Sequence, residues 1–222
     1  MNLSYPKRSL VTLDPDPDCY LPVDDEDWDS GFSQPSDAVP LRLSSQIHIG
    51  RFARFAHAVP LLSQAIYRSD EDRHNTAQLR RTILSLIHLG EVEEMSDKVL
   101  FCTLNAVSYL AVFVLDNPTS KGTEPQPTDL VASPETLAAI QHAIKLMMQE
   151  AARESCHKLS PFVLHMMYRA LTVCLRLRHA APVELDVEKS IEVLKRGLEC
   201  FKARWLVAGN TLELDNYFFM DV

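Results

Sequence analysis

Residues 187–205 leave the chain little choice of local structure. Val187, Ile191, Leu194, Leu198, Phe201 and Trp205 step by four, three, four, three and four residues. At 3.6 residues per turn that spacing gathers them into one stripe of a helix. Glu188, Lys189, Glu192, Lys195, Arg196 and Lys202 fall on the other side, so one face belongs to a core and the other to water. Glu192 and Arg196 stand four apart, an ion-pair spacing worth about 0.3 kcal/mol on a helix. The same seam suits a coiled coil, but packing within the chain's own core is the favoured reading.

The segments before it repeat the helical period. Ser160-Pro161 and Ser133-Pro134-Glu135 are helix starts: a capping hydroxyl, a proline in the first turn where no N–H is needed, and in the second case an acid at the positive end of the dipole. Leu137, Ile140, Ile144, Met147, Met148 and Ala151 form the apolar stripe after the first start. Phe162, Val163, Met166, Met167, Leu171, Cys174 and Leu175 do so after the second. Residues 97–115 are apolar on nearly every side and predict a helix buried all round. Leu79, Ile83, Leu86 and Ile87 predict a helix ending near Leu89, with Gly90 as its stop. A further helix is expected from Ser44-Ser45 to about Arg68, facing inward with Phe52, Phe55, Ala56, Val59, Leu62 and Ile66. Pro60 should kink or split it, since an interior proline costs about 3 kcal/mol. Residues 117–132 hold three prolines and a glycine and read as a loop. No stretch alternates with period two. The expected fold is all-α: about six helices in antiparallel hairpins.

Charge divides the chain further. Residues 1–40 hold nine of the 30 acids and two of the 22 basic residues, and six of the 13 prolines. The reading is an acidic, Pro-rich leader and docking loop over 1–40, a helical body over 41–211 and an acidic-aromatic tail over 212–222. Within the leader, Leu21-Pro22-Val23-Asp24-Asp25-Glu26-Asp27-Trp28-Asp29-Ser30-Gly31 is expected to be non-helical. Tyr20, Leu21, Trp28 and Phe32 would anchor it on the body, with Trp28 packed against the helices near Trp205. A nearly neutral body under an acidic head is no nucleic-acid footprint, so direct DNA binding is not expected. The most apolar run, 99–115, is short for a membrane span of about 20 residues.

The search for chemistry returns little. There is no Gly-x-Ser-x-Gly elbow, no phosphate-cradling glycine loop and no His-Glu-x-x-His. Cys19, Cys102, Cys156, Cys174 and Cys200 are odd in number and widely spaced, which suits a reducing, intracellular compartment better than a disulfide framework. Cys156 and His157 point about 100° apart on a helix, too divergent for a dyad. His48 and His57, or His165 and His179, lack the spacing that aligns metal ligands. The acids of 24–29 lack the alternation and central glycine of a calcium loop. No catalytic, cofactor or metal residue is assigned. The acidic head and tail also have the composition of activation segments, in which acids keep hydrophobic anchors exposed for a co-regulator.

Three stretches carry a resemblance. They are Asp14 to Gly31, ending in Leu-Pro-x-Asp-Asp-Glu-Asp-Trp-Asp-x-Gly; His48-Ile49-Gly50-Arg51-Phe52-Ala53-Arg54-Phe55-Ala56; and Pro182 to Leu214, with Leu198-Glu199-Cys200-Phe201-Lys202-Ala203-Arg204-Trp205. In this order they resemble the C-terminal half of the regulatory "middle homology" domain of fungal zinc-cluster transcription factors. The residues matching its motifs are Leu21, Pro22, Asp24, Asp25, Trp28, Gly31, Arg51, Phe52, Phe55 and Trp205. The resemblance implies a nuclear, transcription-regulatory module working through protein contacts, with a full-length regulator, a co-regulator or another copy as partner, and through effector sensing. The family's six-cysteine zinc cluster is absent from this sequence, so no cofactor is expected and the chain reads as truncated. The alternative is a helical ligand-binding protein or enzyme with a pocket between helices.

Overall fold

The computed structural model describes residues 15–16, 18–23, 25–31, 39–41, 50–67, 73–96, 102–116, 133–152, 159–178 and 186–202. Among them the chain is all-α, with seven helices: α1 (Asp25–Ser30), α2 (Arg51–Tyr67), α3 (Arg73–Ser96), α4 (Cys102–Asp116), α5 (Pro134–Ala152), α6 (Pro161–Leu177) and α7 (Val187–Lys202). They fall into two compact units, Met1–Leu115 and Asp116–Val222.

In the first unit α2 packs on α3. α4 is its most buried element: every residue from Leu104 to Leu115 is removed from solvent, as expected of a helix without a polar face. Leu79, Ile83, Leu86 and Ile87 of α3 are buried as expected. Gly90 does not stop that helix, which continues to Ser96. Its role is close approach: a Cβ built there would overlap Asn105 Oδ1 of α4 and stand 3.0 Å from the Asn105 Cγ. One turn away, the Tyr109 hydroxyl donates to Glu91 Oε1 at 2.6 Å.

α2 departs from expectation twice. It runs unbroken through Pro60, which is itself buried. The missing N–H costs about 3 kcal/mol, while Ala58, Leu61, Leu62 and Ala65 on either side are buried, each leucine contributing roughly 2 kcal/mol. The buried face is also rotated from the one read in the sequence. It holds Ala53, Arg54, Ala58, Leu61, Leu62 and Ala65, whereas Phe52 is exposed and Phe55, Ala56, Val59 and Ile66 are half-buried. Small side chains permit close packing and so take the inner positions in place of the larger phenylalanines.

In the second unit α5, α6 and α7 pack pairwise, α6 and α7 most extensively. Both Ser-Pro starts are used. Ser160 is the N-cap of α6 and its hydroxyl accepts from Phe162 N–H at 3.3 Å. Ser133 Oγ accepts from Thr136 N–H at 3.1 Å at the head of α5. The hydroxyls of Ser133 and Thr136 both donate to Asp116 Oδ2. Asp186 caps α7, its Oδ1 accepting from Lys189 N–H at 3.2 Å. The core is Ala139, Ile140, Ala143 and Leu146 of α5, Val163, Met166, Met167, Leu171 and Cys174 of α6, and Ile191, Leu194, Leu198 and Phe201 of α7. The seam of α7 is thus filled from within the chain. Arg178, the C-cap of α6, meets Glu188 in the first turn of α7 at 3.0 Å. With contact along their lengths, this makes α6 and α7 antiparallel. The Glu192–Arg196 pair forms as expected. Loop 117–132, Trp205 and the tail lie outside the described residues.

Candidate functional site

The acidic stretch holds the most distinctive surface. Its approach is a short clasp. The Asp16 carboxylate accepts from Asp18 N–H at 2.8 Å and its carbonyl from Cys19 N–H at 2.8 Å, the side-chain and main-chain bonds of an aspartate turn. Leu21 N–H then donates to Val39 O at 2.8 Å, and Leu41 N–H to Cys19 O at 2.9 Å. These bonds frame the isolated bridge between Tyr20 and Pro40. Leu21 is driven against Ala53 of α2, with Val39, Leu41 and Ala56 packed around it.

The expectation of a non-helical loop is corrected: Asp25–Ser30 is helical. Asp25, Glu26 and Asp27 occupy its first turn, where the unpaired N–H groups favour negative charge. Gly31 ends it at φ 68°, the left-handed region that a glycine enters without strain, and Gly31 N–H donates to Trp28 O at 3.2 Å. The anchoring expectation is corrected as well. Trp28 is 76% exposed and Tyr20 69% exposed; only Leu21 of the described anchors is buried. An aliphatic side chain fits over Ala53 with no polar atom to satisfy, while the helical turn carries Trp28 outward. Phe32 lies outside the described residues.

The other motif residues divide in the same way. Pro22 is half-buried. Asp25 and Arg51 open α1 and α2; their side chains, and Asp24 and Trp205 altogether, lie outside the described residues. Phe52 and Phe55 pair with ring centroids 6.2 Å apart and planes tilted by 35°, within the range of a favourable aromatic contact. Leu21 and Ala53 bring the first two motif stretches together. The third lies on α7, in the second unit.

A second feature is a cleft of about 420 Å³ between α5 and α7, lined by Ile144, Val193, Ser190, Lys145, Lys189 and Asp186 among others. Ile144 and Val193 are half-buried, and Lys145, Lys189 and Asp186 are exposed, giving an apolar floor under a rim of two cations and one carboxylate. The sequence reading missed this cleft, because Lys145 and Lys189 are far apart in the chain and look like ordinary surface residues. It also passed over Arg169 and Arg176, half-buried on α6. Their i, i+7 spacing inside a largely apolar helix was the available signal.

The titratable groups carry few perturbations. Burial pushes the Cys174 thiol up to about 12, so it stays protonated at neutral pH and fills core space. Burial lowers the pKa of His57 and of His165, where Arg169 adds to the effect. No group of three or more metal-ligating side chains gathers among the described residues, and no described helix is long and apolar enough to cross a membrane. Compared with protein-family models, curated proteins and solved structures, the chain matches none.

Proposed function

We propose that this chain is a protein-contacting regulatory module of a nuclear transcription regulator, and that α1 is its contact element. The observation that carries the reading is Trp28, 76% exposed in the middle of a helix whose other residues are Asp25, Glu26, Asp27, Asp29 and Ser30. A large aromatic kept in water by surrounding acids is a ready anchor for a protein partner, and tryptophan is enriched among binding hot spots. The likeness of residues 14–31, 48–56 and 182–214 to the regulatory domain of fungal zinc-cluster factors supports the same reading. In it the chain performs no catalysis and leaves DNA contact to another component. The test is to fuse the full chain to a heterologous DNA-binding domain and measure a reporter gene. Transcription should change several-fold in either direction, and Trp28→Ala should remove most of the change. A fusion indistinguishable from the DNA-binding domain alone sinks the reading.

The α5–α7 cleft favours a second reading, an effector site. Its volume lies in the range of small-ligand sites, and Lys145 and Lys189 over Ile144 and Val193 suit a small carboxylate with an apolar body. Thermal shift against such carboxylates should respond in the wild type and not in Lys145→Met/Lys189→Met; equal responses rule the cleft out.

A further inference from the structure

α6 carries two guanidinium groups, beside a histidine, that no carboxylate among the described residues answers. His165, Arg169 and Arg176 lie at i, i+4 and i+11, with Thr172 between them, so the four share one stripe of the helix. All four are half-buried. Arg176 and Arg169 bear on each other, and Arg169 bears on His165. Burial holds the Arg169 guanidinium below its ordinary pKa, and Arg176 adds to the effect against Tyr168. Arg178 shows the contrast, since Glu188 meets it at 3.0 Å. A partly desolvated guanidinium beside a second one is unfavourable until negative charge is brought to it, and a carboxylate donated by a partner does so with charge-assisted hydrogen bonds.

We propose that the α6 stripe of His165, Arg169 and Arg176 receives the acidic leader and α1 of a second copy of this chain, the two copies exchanging the contact reciprocally. This rests on the reading of α1 as a contact element and names its partner. Charge complementarity selects the occupant. Residues 14–29 contain eight acids and no basic residue, and Asp16, Asp18, Glu26 and Asp29 are exposed. Trp28, exposed beside them, offers the guanidinium groups an aromatic face, a cation–π contact that strengthens once water is excluded. A contact exchanged both ways between the same two copies leaves no free acidic helix to propagate a chain. A short helix and its approach form a small interface, so the dimer is weak and salt-sensitive.

Sedimentation of the full chain measures this. At about 50 mM salt the wild type should dimerise, and association should weaken roughly tenfold at about 500 mM. Arg169→Glu/Arg176→Glu and Glu26→Lys/Asp29→Lys should each be monomeric, with circular dichroism confirming that they fold. Mixed one to one they should dimerise again, because one contact is then wild type and the other has both signs reversed. Trp28→Ala, a change at an exposed site that leaves folding intact, should weaken association about tenfold. A wild type monomeric at low salt overturns the proposal, as does a Trp28→Ala chain that dimerises like wild type. Monomers together with an active reporter fusion would refute the second copy as partner and leave α1 as a contact element. A dimer with a silent fusion would keep the second copy as the partner of α1 and refute the transcription-regulatory role.

Discussion

Gly90 of α3 and Asn105 of α4 pack so closely that there is no room between them for a methyl group. Asn105 is buried, so its amide has little freedom to turn away. Gly90→Ala sets two effects against each other: alanine favours the helix by about 1 kcal/mol, and the overlap costs typically 1–3 kcal/mol. The overlap should win, and urea denaturation should show a net loss of about 1 kcal/mol or more. In a double-mutant cycle, Gly90→Ala should cost less in an Asn105→Ala background. Equal costs in both backgrounds would place the constraint elsewhere.

Leu21 and Trp28 should behave oppositely although only a few residues separate them. Leu21→Ala removes the buried contact with Ala53 and should cost about 2 kcal/mol. Hydrogen exchange at the Leu21 and Leu41 amides should accelerate with it. Trp28→Ala should change unfolding free energy by less than about 0.5 kcal/mol, as expected of an exposed side chain. A large stability loss from Trp28→Ala would mean that the tryptophan is an anchor after all.

Asp116 accepts from the hydroxyls of Ser133 and Thr136, and Thr136 is fully buried. Asp116→Ala strips a buried hydroxyl of its acceptor, a loss of about 1–3 kcal/mol. Thr136→Val in the Asp116→Ala background should recover part of it, since no polar group is then left to satisfy. Thermal unfolding of the two variants separates this from a general loss of charge.

Stability should fall at both ends of the pH scale. Burial lowers the folded pKa of His57 and His165 below the ordinary 6.5. The unfolded chain therefore takes up protons first as the pH drops through 6.5, and stability is lost in acid. The Cys174 thiol, ordinarily at 9.0, sits at about 12 when folded. Its contribution is nil below the unfolded value and negative as the pH rises through it, because only the unfolded thiol ionises there. Alkylation followed by mass spectrometry gives the direct check. Exposed Cys19 and Cys200 should react in the folded chain at pH 7 and pH 9, and Cys174 only on unfolding.

Where the sequence was read correctly, local chemistry and packing agreed. The α5 and α6 starts are capped by Ser133 and Ser160 as their Ser-Pro pairs predict, and the α7 stripe from Ile191 to Phe201 is buried residue for residue. α4 was legible because an apolar helix has no solvent face to choose. Failures came where long-range packing decided. The inner face of α2 follows Ala53 and Ala58, which periodicity weighs less than Phe52 and Phe55. Gly90 reads as a stop until Asn105, fifteen residues on, is seen to need its space. α1 was concealed by its charge, for five polar residues around one tryptophan look like a loop until the turn at Gly31 is fixed. The candidate contact surface was therefore legible as composition, and its exposure was not. The α6 cations were hidden by the methionines and leucines among which they lie.

The clasp made by Asp116 has a consequence for how this chain can vary. Its carboxylate holds Ser133 and Thr136, so the two ends of the intervening segment are fixed to each other independently of its content. Doubling the length of such a closed segment costs only about 0.6 kcal/mol in chain entropy. Insertions and deletions between Asp116 and Ser133 are thus the changes the second unit should absorb most cheaply, and a peptide tag placed there should leave the stability of α5, α6 and α7 nearly unchanged.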